Sequence, residues 1–311
     1  MPPIPNAVVT QQGATIFTRA DIEKGRQVWQ SIGGHQLGSI WGHGSYVAPD
    51  WTADWLHREA TAWLDIESLR SNAVPYSGLG EEQQASLATQ LQPRLRANTF
   101  DESTGNIVVS TDRAAAIATV QKHYTALFGS DPQLRSLRKA YAMKEATVVD
   151  ADKRTALTAF IWWSSWSAVT NRPGQHISYT NNWPHDPLVG NTPPSHLLLW
   201  TVFSVLFLIA GIALLGWHHA RQREEAPPAL PASDPLAMIR ITPSMRATAK
   251  YFWLVIALFL TQILLGAITA HYQVEGQDAY GFALSNILPY SLSRTWHTQL
   301  AVLYGDRKSV V

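Results

Sequence analysis

Apolar and polar residues recur with helical spacing along the first half of the chain, and the second half carries two long apolar runs. The first predicted helix covers residues 18–29, and Thr18 or Asp21 is suited to cap it. The pattern of residues 99–109 predicts a short β-hairpin, with Gly105 and Asn106 in its turn. The periodicity predicts helices over residues 18–29, 51–64, 81–95, 111–128 and 150–169. Residues 1–187 are therefore expected to form a soluble, mainly α-helical domain.

The second half of the chain has the pattern of a membrane protein. No Asp, Glu, Lys or Arg occurs from Pro187 to Trp217, and each apolar run supplies the ~20 residues that a spanning helix needs. We expect transmembrane helices at 188–218 and 250–272, joined by a loop at 219–249. That loop is predominantly basic, which favours a cytoplasmic position. Residues 1–187 and 273–293 would then lie outside, and a further helix over 294–304 would head back inward.

Composition narrows the chemistry that the chain can support. The mean hydropathy of −0.07 hides the difference between the two halves, and 13 Trp residues suit interfacial belts and an aromatic core. A formal net charge of +1 gives no basis for nucleic-acid binding. Because the chain has no Cys, disulfides, iron–sulfur clusters, thiolate metal sites and covalent haem attachment through C-x-x-C-H are excluded.

His297 is the leading candidate for a functional residue. It follows Trp296 at the start of an apolar run, and an ionisable side chain inside a membrane is costly unless it is paired or coordinated. Haem iron is one partner that would hold it. The alternative is a buried histidine whose ring is satisfied by a backbone carbonyl.

His271 and Glu275 form a second candidate pair, at one end of the second apolar run. Their spacing of four places both on one helical face. An imidazole and a carboxylate could accept the two protons of a quinol. The alternative is a polar helix end whose side chains reach the membrane surface.

The segment Gly42–Tyr46 could bring backbone carbonyls and a phenol oxygen to a hard cation such as calcium. A tight turn without metal is the alternative. His35 and His43 are expected to be hydrogen-bonding loop residues. The adjacent pair His218 and His219 cannot face one metal from one helical face, and we expect it at the membrane interface.

Several segments resemble quinol-dependent nitric oxide reductase, a single-chain member of the haem–copper oxidase superfamily. The resemblance extends to about Tyr304. It is carried by Gly25–Trp29, Trp41–Glu59, Tyr141–Glu145, Thr180–His185, Ala270–Gly276 and Trp296–Leu300. The resemblance implies a mainly α fold, in which a haem-free extracytoplasmic cytochrome c-like domain with a short hairpin precedes the helices of a truncated haem–copper oxidase bundle.

The resemblance also implies roles for individual residues. Two-subunit relatives carry C-x-x-C-H where this chain reads Gly34–Gly38, so haem c cannot be attached and electrons would arrive directly from quinol. Calcium is implied at Gly44 and Tyr46, quinol at His271 and Glu275, and haem b at His297 as one axial ligand.

The family reduces two NO to N2O and water at a high-spin haem and a non-haem iron. The ligands of that centre, and the second axial ligand of haem b, belong to helices that follow the matching segment. We therefore expect an inactive N-terminal fragment, with residues 305–311 a non-native tail resembling sequencing adapter. We see no signal peptide in Met1–Asn6. NO consumption by the isolated chain, or a genuine stop codon after Val311, would contradict this.

The expected location is the bacterial inner membrane, as a multi-pass protein with its N-terminal domain in the periplasm. Membrane lipid and quinol are the expected partners, and a homo-oligomer is allowed. The alternative function is a non-enzymatic, membrane-tethered extracytoplasmic binding or assembly module that uses a Trp-rich face for its partner. Uptake of haem by the purified protein distinguishes the two.

Overall fold

The computed structural model describes residues 1–34, 36–222, 231–274, 276 and 281–305. The chain divides into two compact units. The first combines Met1–Pro193 with the residues from Gln262 onward, and the second is Pro194–Thr261.

The described residues are mainly helical with one small sheet, as the pattern predicts. The strands are β1 Ala7–Thr10, β2 Thr15–Thr18, β3 Phe100–Asp101 and β4 Asn106–Val109. The helices are α1 Arg19–Ser31, α2 Trp51–Asn72, α3 Glu81–Arg96, α4 Thr111–Leu127, α5 Arg135–Ala140, α6 Ala151–Val169, α7 Ser195–Arg221, α8 Pro243–Val274 and α9 Tyr290–Gly305. Single 3-10 turns occur at Tyr76–Gly78, Pro132–Leu134, Pro235–Met238 and Leu284–Asn286.

Helix α1 begins as predicted and packs closely against α6. Thr18 Oγ1 accepts a hydrogen bond from the Asp21 N–H, and Asp21 Oδ2 accepts one from the Thr18 N–H, which completes a capping box. At Gly25 the two helices almost touch, because a Cβ there would lie 2.0 Å from the carbonyl oxygen of Ala156. Only glycine therefore permits this packing.

The sheet joins the start of the chain to the predicted hairpin in the order β2-β1-β4-β3. The hairpin β3–β4 is confirmed, with Gly105 at φ +70° in its turn. Asn106, which was also predicted for the turn, is instead the first residue of β4 and pairs with Asp101. Strands β1 and β2 were not predicted. β1 runs parallel to β4, with Val8 opposite Ile107, and Asn106 Oδ1 accepts the Ala7 N–H at 3.0 Å.

The core of the domain is rich in indole rings. Helix α6 is buried from Ala156 to Val169, which is typical of a helix that neighbours surround on all sides. One ion pair lies inside this core, with Arg113 Nε donating to Glu59 Oε1 at 2.8 Å. The other carboxylate oxygen accepts the Trp55 Nε1–H at 2.9 Å, so both oxygens of Glu59 are satisfied.

Two described helices are long and apolar enough to cross a membrane, Ser195–Arg221 and Pro243–Tyr272. The apolar side chains of α7 are exposed along its whole length. Trp200 and Trp217 lie 17 residues apart on α7, about 25 Å at 1.5 Å per residue, close to the ~30 Å of a bilayer core. Trp217 also stacks with Arg221, whose Cζ lies 4.1 Å from the ring centroid.

The helix ends differ from the expected spans. Helix α7 begins at Ser195 rather than at 188, and α8 extends back to Pro243 and forward to Val274. Helix α9 begins at Tyr290 instead of 294. Of the predicted tail, residues 306–311 lie outside the described residues.

Candidate functional site

His297 lies on α9 with its imidazole directed to the backbone of α8. Its Nδ1 is 2.9 Å from the carbonyl oxygen of Gln262. Because a carbonyl can only accept, a hydrogen bond there assigns the proton to Nδ1, and the lone pair of the neutral ring is then on Nε2. The bond matches the carbonyl contact expected of an ordinary structural histidine, although His297 is half-buried rather than buried. The same contact would orient a histidine that binds a metal through its other nitrogen.

Gly266 makes room for that imidazole. A Cβ at this position would lie 2.8 Å from Cε1 and 3.0 Å from Nδ1 of His297. Gly266 is one helical turn beyond Gln262, so the ring lies along the backbone of α8 at both residues. The structure therefore explains a glycine in the middle of an apolar helix, where it would otherwise reduce helix stability.

Polar contacts fix α9 against the end of α8. Thr269 Oγ1 and Ser293 Oγ are 3.1 Å apart. The Tyr272 hydroxyl donates to the carbonyl of Leu288, and the rings of Tyr272 and Tyr290 meet edge to face with centroids 6.0 Å apart. These contacts hold α9 in place on α8 and thereby help to fix the orientation of His297.

The loop Gly42–Tyr46 lies beside the same helix. Arg294 on α9 places its Cζ 5.6 Å from the centroid of the Tyr46 ring. Arg294 and His297 are three residues apart and share a helical face. The structure therefore brings the predicted cation-binding loop and the predicted haem ligand to one helix, although they are far apart in sequence.

Asp50 organises this loop. Its Oδ2 accepts hydrogen bonds from the Gly42 N–H at 2.7 Å and the Ser39 hydroxyl at 2.6 Å, and its Oδ1 caps α2 through the Ala53 N–H. Gly44 has φ +83°, a conformation suited to glycine, and its N–H donates to Ser39 Oγ at 2.7 Å. These hydrogen bonds hold the segment in a tight turn, and the turn explains its glycines without a bound metal.

The oxygen atoms of Gly44 and Tyr46 do not by themselves make a calcium site. Calcium takes six to eight oxygen ligands, and the two predicted residues supply a carbonyl and a neutral phenol. The Arg294 guanidinium also lies against the Tyr46 ring. Among the described residues no group of three or more His, Asp or Glu side chains could hold a metal ion.

His271 lies in the last turn of α8 and is half-buried. Its carbonyl accepts the Gly276 N–H at 3.2 Å, and Gly276 has φ +80°, as is common where a helix ends. Glu275 lies outside the described residues. The predicted pairing of His271 with Glu275 therefore stays a prediction.

The loop that replaces C-x-x-C-H is filled by indole rings. A Cβ on Gly34 would lie 2.1 Å from the Trp29 ring, and one on Gly38 would lie 2.5 Å from Trp51 Nε1. Trp51 Nε1 donates to the carbonyl of Leu37 at 2.7 Å, and Leu37 is buried. The two indoles pack directly on this loop. The expected absence of haem c rests on the lack of Cys in the sequence and stays a prediction.

A network of ionisable residues in the domain was not predicted. Asp54 Oδ2 accepts from the Tyr124 hydroxyl at 2.6 Å and from Arg58 Nε at 2.7 Å. Burial, followed by the Asp54 charge, raises the pKa of Tyr124 well above its ordinary value. Burial, followed by Arg58, lowers the pKa of the neighbouring His123. The arrangement keeps Tyr124 protonated and His123 neutral.

Sequence reasoning did not single out Gln262, Gly266 or Arg294. Two of them carried a usable signal, since Gly266 interrupts an apolar helix and Arg294 precedes His297 by three residues. Gln262 carried none, because it takes part through its backbone carbonyl, which every residue possesses.

A comparison with protein families gives one match. The family model for the cytochrome c-like domain of the nitric oxide reductase protein NorB matches residues 5–185, more than half of the chain. The match includes the loop Gly42–Tyr46, the indole-filled loop and the buried network. No curated protein matches the chain.

Proposed function

Because the chain belongs to the NorB family of nitric oxide reductases, through its cytochrome c-like domain, we propose that it serves in the reduction of nitric oxide at a membrane. In this proposal quinol is the electron donor and haem b is the first acceptor. The electrons go on to a centre that converts two NO to N2O and water. We assign no catalytic residue of that centre to the described part of this chain.

The hydrogen bond from His297 Nδ1 to the Gln262 carbonyl carries the proposal. It leaves Nε2 as the nitrogen with a lone pair, which is the form of imidazole that binds iron. Haem, when bound, supplies one-electron transfer. His297 would hold it as an axial ligand, and the Gln262 carbonyl would keep the ring in the tautomer that this requires.

The indole-filled loop supports direct entry of electrons from quinol. With Trp29 and Trp51 packed on Gly34 and Gly38, and with no Cys in the chain, the domain has no means of attaching haem c. We propose that the domain is a structural cover, and that electron entry occurs at the end of α8.

At that end we propose that His271 and Glu275 accept the protons released by quinol. His271 is half-buried, and an imidazole is the side chain best suited to exchange protons near neutral pH. Binding of a short-chain quinol to the full chain in lipid nanodiscs, measured by calorimetry, should weaken in His271→Ala and in Glu275→Gln. His218→Ala, which replaces an exposed histidine near the end of α7, serves as the control. Equal affinity in all variants would remove the quinol site from this position.

A haem titration tests the principal assignment. The full chain purified in detergent should bind ferric haem with a shifted Soret band, and His297→Ala should abolish the shift. His218→Ala, which removes an exposed histidine from α7, should bind as the unsubstituted chain does. Unchanged uptake by His297→Ala would refute the assignment.

We further propose that the domain lies in the periplasm and that the loop between α7 and α8 is cytoplasmic, in keeping with its basic residues. Because the chain has no Cys, single cysteines can report the orientation. Ser130→Cys should react with an impermeant maleimide in spheroplasts, and Ser233→Cys should react only after permeabilisation. The reverse pattern would invert the proposed orientation.

Calcium at Gly44 and Tyr46 stays a prediction. It is tested by whether calcium raises the thermal stability of the chain but not that of Tyr46→Phe.

The rival function, a non-enzymatic binding or assembly module, relies on a Trp-rich face. Trp162, Trp163 and Trp166 are buried in the core and are therefore not candidates for that face. Failure of the chain to take up haem would still favour the module.

A further inference from the structure

We propose that a basic cavity beside α5 binds the phosphate headgroup of an anionic phospholipid. The cavity has a volume of about 330 Å³, within the range of small-molecule sites. It lies between α5 and the segment that follows α8. Its polar lining comprises Arg135, Arg138, Lys139, Glu145, Ser285 and Asn286.

The lining is cationic, because its basic side chains outnumber its single carboxylate. Arg138 is only 3% exposed, and its guanidinium donates to the backbone carbonyls of Ala126 at 3.3 Å and Asp131 at 2.5 Å. Neither Arg135 nor Arg138 forms an ion pair with any residue that the structure describes. A buried guanidinium without a carboxylate partner is costly, and an anion in the cavity would offset that cost.

The position of the cavity identifies a lipid as the source of the anion. Ser285 and Asn286 follow a helix that can cross a membrane. The apolar side chains on either side of them, Phe282 and Ile287, are 51% and 73% exposed. A phospholipid offers a phosphate for the cations and acyl chains for exposed apolar residues, whereas free phosphate offers only the first.

None of the residues that line the cavity belongs to the proposed haem or quinol sites. A lipid bound here would anchor the domain to the leaflet that it faces. Ser285 Oγ lies 3.5 Å from the carbonyl of Met143, so the lipid-facing segment and the domain already touch at the edge of the cavity.

Native mass spectrometry of the full chain in detergent tests the proposal. Phosphatidylglycerol should remain bound in preference to phosphatidylcholine. The double variant Arg135→Gln/Lys139→Gln should lose phosphatidylglycerol affinity on the order of thirty-fold, as expected for two cations near an anionic lipid surface. Both substituted side chains are exposed, and Arg138 is left intact because its bonds hold the local backbone.

The matched control is Arg26→Gln/Lys122→Gln, which removes the same charge from two exposed positions away from the cavity. It should bind phosphatidylglycerol as the unsubstituted chain does. Equal retention of the two lipids, or equal losses in the two double variants, would overturn the proposal. Displacement of the lipid by an equimolar amount of inorganic phosphate would overturn it too, because the site would then recognise the anion alone.

Discussion

Gly266→Ala should impair the proposed haem site without touching any polar group. The new Cβ would lie 2.8 Å from His297 Cε1, whereas ordinary contacts begin at 3.4 Å. To restore an ordinary contact, the ring would have to move by about 0.6 Å, the difference between these two distances. Its Nδ1 is 2.9 Å from the Gln262 carbonyl, so a movement of that size away from α8 takes the hydrogen bond to the limit of its range.

The expected effect is a loss of haem affinity of about 10- to 100-fold, the usual consequence of removing the contact that orients a metal-binding histidine. The assay is titration of ferric haem into the full chain in detergent, followed at the Soret band. The affinity should fall while the amplitude at saturation is retained, because His297 is still present. His297→Ala, in contrast, should lose the amplitude as well.

Gly211→Ala is the control for this experiment. It makes the same substitution in apolar helix α7, where a Cβ would meet nothing within 4 Å. Both variants gain the intrinsic helix preference of alanine, about 1 kcal/mol, so the comparison isolates the contact with His297. Equal haem affinities in Gly266→Ala and Gly211→Ala would refute the reasoning.

Three further predictions concern the domain, and each is measured by denaturation followed through Trp fluorescence. Arg113→Met should destabilise it by about 3–5 kcal/mol, because Glu59 would be left buried and unpaired. Gly25→Ala should lower the free energy of unfolding by about 1–3 kcal/mol, because its Cβ would collide with the Ala156 carbonyl. Burial and Arg58 lower the pKa of His123 below its ordinary 6.5. The unfolded chain therefore binds that proton more readily, and stability should fall as the pH drops below about 6.5.

Matched control variants distinguish these mechanisms from non-specific destabilisation of the domain. Adding Glu59→Leu to Arg113→Met should restore most of the lost stability, since no unpaired charge remains, and an undiminished loss would contradict the mechanism. Gly80→Ala, where a Cβ meets nothing within 4 Å, should change stability far less than Gly25→Ala. His123→Gln should flatten the pH dependence below about 6.5, whereas His176→Gln, at an exposed position, should leave it unchanged.

Much of the helical framework was predictable because its determinants are local. Thr18 and Asp21 are three residues apart and form the capping box that starts α1. The turn at Gly105 needs only a residue that accepts positive φ. The absence of Cys by itself excludes attachment of haem c through C-x-x-C-H.

Contacts between distant segments could not be predicted in the same way. β1 has four residues, too few for a clear alternating pattern, and its partner Asn106 is 99 residues from Ala7. The pairing of Arg113 with Glu59 spans 54 residues, and many charges in the chain could have taken either place. The approach of Arg294 to Tyr46 likewise depends on how α9 packs.

The sequence by itself determined which segments are helical and which two are apolar enough for a membrane, and it made His297 a candidate ligand, which stays a prediction. These properties depend on hydrogen bonds between near neighbours and on the transfer of side chains out of water, so a local pattern reveals them. Only the tertiary structure decided that the Gln262 carbonyl engages Nδ1 of that histidine, that Gly266 admits its ring, and that indoles pack on the loop at Gly34 and Gly38. Those features arise where surfaces distant in sequence pack together, and the free energy of such packing depends on the shapes of both partners at once.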